Sequence, residues 1–142
     1  EGMIKVPSIK LPATMENLDR MIEFVLNGVN HCEIATENLL KKLRLVCEEI
    51  LTNIIDYGYP EQTGEVKIVY QVVIAEEKIV IKIIDHGVPF NPVEYKKPNL
   101  SASVEERDIG GLGIHIAKRI VDKMKYQRSQ GKNILTIVKF IN

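Results

Sequence analysis

Polar and apolar positions alternate along this chain with two periods, and the switches between them mark out the elements. Ile4 to Leu11 reads as a short strand, ended by Pro12. Thr14 is placed to cap a helix whose Leu18, Met21, Ile22, Val25 and Val29 share one face, and Asn27-Gly28 begins its end. A second helical stripe runs from Thr36 to Asp56, through Leu39, Leu43, Val46, Cys47, Ile50 and Ile54, until Gly58, Tyr59 and Pro60 stop it. Val66 to Ile74 and Lys78 to Asp85 are strand-like and joined tightly around Glu76-Glu77, which predicts a hairpin. His86 to Ile109 has little periodicity, and an irregular segment of that length inside a compact domain is usually functional or mobile. A third helix is expected after Gly113, to about Lys123. Two strands, Lys125 to Gln130 and Asn133 to Ile141, then turn at Gly131-Lys132.

Strand pairs joined by tight turns imply a largely antiparallel sheet, and the interspersed helices would cover one of its faces. The expected class is therefore α+β, a two-layer α/β sandwich. No repeat or low-complexity linker interrupts residues 1–142, so one domain is expected.

Composition narrows the function classes. Of 142 residues, 45% are hydrophobic and 27% charged, with 19 basic against 19 acidic side chains. Zero formal charge gives no dominant pull toward nucleic acid or an anionic membrane. No apolar run approaches the ~20 residues that span a bilayer, and a cytoplasmic setting is expected. Cys32 and Cys47 form no CxxC and have no histidine at ligand spacing, so two reduced thiols are expected rather than a disulfide or zinc site.

Three places break the apolar pattern. Ile79, Ile81 and Ile83 share a strand face with Asp85, so a carboxylate ends a stripe that should face the core. It either accepts backbone N–H groups from the following Gly87 loop or hooks a ligand that brings an N–H donor. Thr136 shares its strand face with Ile134, Val138 and Phe140, which would turn its hydroxyl inward beside Asp85. On the second helix, Glu49, Asn53 and Asp56 fall within a sector of roughly 60° beside the apolar face. That sector is either a solvated border or a working pair, since a carboxylate and an amide oxygen one turn apart suit Mg²⁺ and proton transfer. In "DIGGLGIHIAKRI", from Asp108, Gly110, Gly111 and Gly113 would leave N–H groups uncovered where a helix starts. They form either a plain flexible turn or a phosphate loop; neither a Walker A motif nor a Rossmann fingerprint is present. An acceptor for a base, a metal pair and a glycine loop are together the parts of a nucleotide–Mg²⁺ site.

These residues resemble the boxes of the GHKL ATPases: "EEILTNIIDYGY" (48–59) their N box, "DHGVPFNP" (85–92) and "GGLGIHIAKRI" (110–120) their two glycine boxes. Among these ATPases, the chain is most similar to the anti-sigma regulatory factors that are serine/threonine protein kinases, over about residues 36–141. The resemblance implies a Bergerat-type ATP-binding fold and the cofactors ATP and Mg²⁺. It implies Glu49 as the base that activates the attacking hydroxyl and Asn53 as the metal ligand, with Asp56 beside them. Asp85 would take the adenine amino group, with Gly87 beside the ring and Thr136 in support, and Gly111, Leu112 and Gly113 would close over the phosphates. The implied partners are a small anti-sigma-factor antagonist that is phosphorylated, a sigma factor and a second copy in a homodimer, with neither nucleic acid nor membrane. A lid arginine is common in that branch, but here Arg107 lies four residues before Gly111, which departs from the pattern, and Lys118 and Arg119 resemble histidine-kinase catalytic domains as well. A nucleotide-gated binding module without catalysis and a histidine-kinase-like domain remain alternatives at this point.

Overall fold

The computed structural model describes residues 6–94 and 109–141. Five strands form one antiparallel sheet: β1 (Ser8–Pro12), β2 (Glu65–Val73), β3 (Lys78–Asp85), β4 (Lys123–Ser129) and β5 (Lys132–Phe140), in the order β1-β2-β3-β5-β4. The described α-helices are α1 (Leu18–Asn30), α2 (Glu37–Asn53) and α3 (Ile109–Ile120). The expected two-layer α+β sandwich is what forms.

The sheet buries one set of alternating side chains. Ile79, Ile81, Ile83 and Asp85 of β3 point inward, with Val66 and Ile68 of β2 and Asn133, Leu135 and Ile137 of β5. Met21, Val25 and Val29 of α1, Leu43, Cys47, Ile50 and Leu51 of α2, and Ile114 and Ala117 of α3 fill the space against them. Burial pushes the Cys47 thiol up to about 12, so it acts as a packing group. Both cysteines are free.

The helix boundaries depart from the sequence reading at four places. Thr14 precedes a short 3₁₀ turn, Met15–Asn17, and accepts no bond from a backbone N–H as a cap. Gly28 does not begin the end of α1, which runs on to Asn30. A Cβ at this position would lie 1.8 Å from the Tyr70 hydroxyl, so the glycine lets the helix cross the ring that stacks edge-on against Phe24. Helix α2 is capped as expected, Thr36 Oγ1 accepting the Leu39 N–H at 3.1 Å. Its regular turns stop at Asn53, and a single π turn, Ile54–Gly58, follows; such turns favour functional sites. The third helix starts at Ile109 rather than after Gly113. At the tip between β4 and β5, Gln130 and Gly131 both take positive φ, 52° and 77°, the geometry of a type I′ hairpin turn.

Candidate functional site

At the C-terminal end of β3, between the sheet and the α2–α3 pair, lies a cavity of about 280 Å³. Ile50, Ile54, Ile83, Ile114 and Leu135 give it apolar walls, and Val88, Pro89 and Phe90 close one side. Asn53, Asp85 and Asn133 are the amide and carboxylate groups that reach it. Apolar walls with a few convergent polar groups suit a flat heterocycle.

Asp85 is 5% exposed. Its Oδ1 accepts two hydrogen bonds, from the Gly87 N–H at 2.8 Å and from Asn133 Nδ2 at 2.9 Å. Its Oδ2 has no hydrogen bond among the described residues, although the side chain lines the cavity. The loop-tying reading of Asp85 therefore holds, on Oδ1.

Asn133 is a site residue the sequence reading missed. Its Nδ2 donates to Asp85 Oδ1 and to the Val88 carbonyl, each at 2.9 Å. Its Oδ1 accepts from the Tyr126 hydroxyl at 2.5 Å and from the Phe90 N–H at 3.4 Å. All of its donors are spent on protein, so it fixes Asp85 and the 88–90 wall. Thr136 does not take this place. It lies on the opposite face of β5, between Lys82 and Lys125, because the strand's inward set is Asn133, Leu135, Ile137 and Lys139.

Gly87 sits where a Cβ would meet the Gly58 carbonyl oxygen at 2.3 Å. The glycine thus admits the π turn against the β3 loop, and Val88 N–H seals the contact by donating to Gly58 O at 2.9 Å. It borders the shallower hollow outside the cavity, lined also by Tyr59, His86 and Arg128. Arg128 Nη1 holds the Gly87 carbonyl at 2.8 Å, and the Tyr59 hydroxyl joins the His86 N–H at 2.8 Å to the Glu65 carbonyl at 2.6 Å. The loop after Asp85 is pinned at each end.

Glu49 and Asn53 lie one turn apart on α2, both half-buried. Burial, with Glu48 beside it, raises the Glu49 carboxyl above its ordinary value. A Cβ on Gly113 would meet Glu49 Oε1 at 1.6 Å, so the glycine makes room for this carboxylate against α3. Asp56 is exposed in the π turn and lines neither cavity nor hollow. Gly111 and Leu112 belong to the backbone of α3, but their side-chain positions lie outside the described residues, as does Arg107. Lys118 Nζ donates to the Val93 carbonyl at 2.7 Å, tying α3 to the segment after Phe90.

Residues 11–139 match the family described as "Histidine kinase-like ATPase domain". The chain belongs to that family. It is 27% identical to the serine-protein kinase RsbW of Bacillus mycoides (strain KBAB4) over 143 residues, covering 94% of this chain and 83% of that protein. The serine-protein kinase RsbW of Bacillus cereus (strain ZK / E33L) is likewise 27% identical over 138 residues, with the same coverage. Among solved structures, the catalytic domain of the histidine kinase ThkA, in a nucleotide-free form, superposes with a TM-score of 0.53 at 13% identity. That match covers 96% of this chain and 97% of the other. The histidine kinase domain of the blue-light-activated kinase from Erythrobacter litoralis EL346 gives the same TM-score and identity, over 87% of this chain and 61% of that one. The structural likenesses show the fold. The relatives by sequence are kinases, and membership of an ATPase domain family makes the chain one that uses a nucleotide. No helix among the described residues is long and apolar enough to cross a membrane.

Proposed function

We propose that residues 1–142 act as one ATP-dependent serine/threonine protein kinase unit. It would phosphorylate a small antagonist protein and, in a partner switch, act as an anti-sigma regulator in the cytoplasm, working as a homodimer. The observation that carries the enzymatic reading is the placement of Glu49, half-buried against Gly113 and one turn before Asn53 at the cavity. The relatives named as serine-protein kinases support a hydroxyl acceptor.

The residues present suit the nucleotide. Asp85 Oδ2 would accept the exocyclic N–H of adenine between the apolar walls, held in aim by Asn133 and Gly87. Among the described residues no cluster of His, Cys, Asp and Glu holds a metal by itself. The Asn53 side-chain oxygen would instead supply one hard ligand to a Mg²⁺ that keeps phosphate and water oxygens for the rest, as Mg²⁺ usually does. When bound, that ion supplies charge neutralisation on the phosphates. Glu49 would take the proton of the attacking hydroxyl; its raised carboxyl makes it a better base than an ordinary solvated one. The first turn of α3, with Gly111, Leu112 and Gly113, would face the phosphates.

The test is transfer itself. Purified protein, ATP, Mg²⁺ and candidate antagonist proteins should give acid-stable phosphate on a serine or threonine, and Glu49→Gln should abolish it while nucleotide binding persists. Acid-labile phosphate on a histidine would overturn the acceptor assignment, and unchanged transfer by the variant would remove Glu49 as the base.

A further inference from the structure

On the sheet side of the cavity the polar side chains are Asp85, Tyr126 and Asn133, and none of them has a donor to spare. An ionised carboxylate only accepts, and each of its oxygens offers two lone pairs. Both places on Asp85 Oδ1 are taken, by the Gly87 N–H at 2.8 Å and by Asn133 Nδ2 at 2.9 Å. Oδ2 has no hydrogen bond among the described residues. Asn133 spends its other proton on the Val88 carbonyl, and Tyr126 gives its hydroxyl proton to Asn133 Oδ1. These bonds also fix which way the amide faces. Reversed, it would set its oxygen against the Asp85 carboxylate and the Val88 carbonyl, and its N–H groups against the Phe90 N–H.

The carboxylate therefore offers a ligand one oxygen, and that decides between purines. Adenine needs one acceptor here, because its amino group stands beside a ring nitrogen that carries no hydrogen. Guanine turns two donors the same way, N1–H and the 2-amino group, at the spacing of the two oxygens of a free carboxylate. Such a fork pairs bidentately when both oxygens are open. With Oδ1 closed, one guanine donor would be buried without an acceptor, and O6 would face acceptors. The geometry points to Asn133 as the residue that sets base selectivity: by closing Asp85 Oδ1 it admits an adenine nucleotide and turns a guanine nucleotide away. The Gly87 N–H alone would leave a lone pair of Oδ1 open, so the loop cannot do this without the amide. The inference rests on the nucleotide reading of Asp85 proposed above.

Calorimetric titration of the full chain with ADP, GDP and IDP separates the two donors, because hypoxanthine has the N1–H of guanine and lacks its 2-amino group. The native protein should bind ADP roughly tenfold or more tighter than GDP, and GDP no tighter than IDP. Asn133→Ala should lose affinity for ADP as the cavity wall loosens, yet bind GDP roughly tenfold tighter than IDP. A merely structural role would weaken all three alike and leave the GDP-to-IDP ratio where it was. The amide spectrum shows whether the variant is folded, and the ADP-to-GDP ratio needs the native protein alone. Equal native affinity for ADP and GDP would overturn the proposal while the nucleotide reading stands. So would a GDP-to-IDP ratio that a folded Asn133→Ala leaves unchanged. Native binding of none of the three would overturn the nucleotide reading, and the selectivity with it.

Discussion

Asn133 and Asp85 are register partners on β5 and β3, and the amide nitrogen of one meets the Oδ1 of the other at 2.9 Å. The same amide holds Val88 and Phe90, so one side chain sets both the acceptor and the wall of the cavity. Replacing it by leucine strips Asp85 Oδ1 of one of its two donors and leaves the Val88 carbonyl bare. The expected cost is about 1–3 kcal/mol of stability, read by denaturant unfolding. Nucleotide affinity should fall by roughly tenfold or more at the same time.

Asn133→Asp separates positioning from mere packing. It sets two carboxylates at hydrogen-bond distance, so one of them must have its pKa raised. A carboxyl raised in the folded state stabilises below its unfolded pKa, and that contribution is lost as pH rises through the folded value. The variant should therefore bind nucleotide near pH 5 far better than near pH 8, while the native protein shows no such fall. Equal binding by the variant across that range would mean that Asn133 does not act through Asp85.

Glu49 is held under opposing demands. Burial raises its carboxyl, and a raised carboxyl makes no stabilising contribution above its folded pKa; it costs stability there. Glu49→Gln should accordingly unfold at the same temperature as the native protein or higher above that range, and transfer no phosphate. The acid limb of the native transfer rate should lie above the range of a solvated glutamate. A variant that loses transfer only because it loses stability would contradict this placement.

Gly113→Ala tests the same contact from the other side. Alanine is a better helix former than glycine by ~1 kcal/mol, but its methyl would occupy the space of Glu49 Oε1. The carboxylate, at the end of a flexible side chain, would swing away. Expected are unchanged or improved thermal stability and a transfer rate reduced at least tenfold, because a misaligned base is costly. Melting temperature and single-turnover transfer measured on one preparation decide it.

How much of this was legible beforehand follows from the chemistry of each strand. The bounds of β3 and the inward aim of Asp85 could be read because lysine, isoleucine and valine alternate cleanly up to the acid. Strand β5 offered no such guide. Both its faces are apolar, Ile134 and Val138 on one side and Leu135 and Ile137 on the other, and period-two patterning cannot choose between them. Only pairing with β3 brings Asn133 rather than Thr136 opposite Asp85. The signal available in the sequence was the buried-strand amide itself, since asparagine is depleted in strands. Gly28 and Gly113 misled in a similar way. Glycine reads as a helix end from sequence, but here each one clears space for a partner distant in the chain, Tyr70 and Glu49.

The central claim is that Asp85 reads a nucleotide base with the oxygen its own loop leaves free. Calorimetric titration with ADP, and with ATP plus Mg²⁺, of the native protein and of Asp85→Asn tests it most directly. The account predicts saturable binding to the native chain and at least a hundredfold loss in the variant, about 2.7 kcal/mol, with the amide spectrum and unfolding midpoint little changed. Equal affinity in the two proteins, or no binding of either nucleotide by the native one, would contradict it.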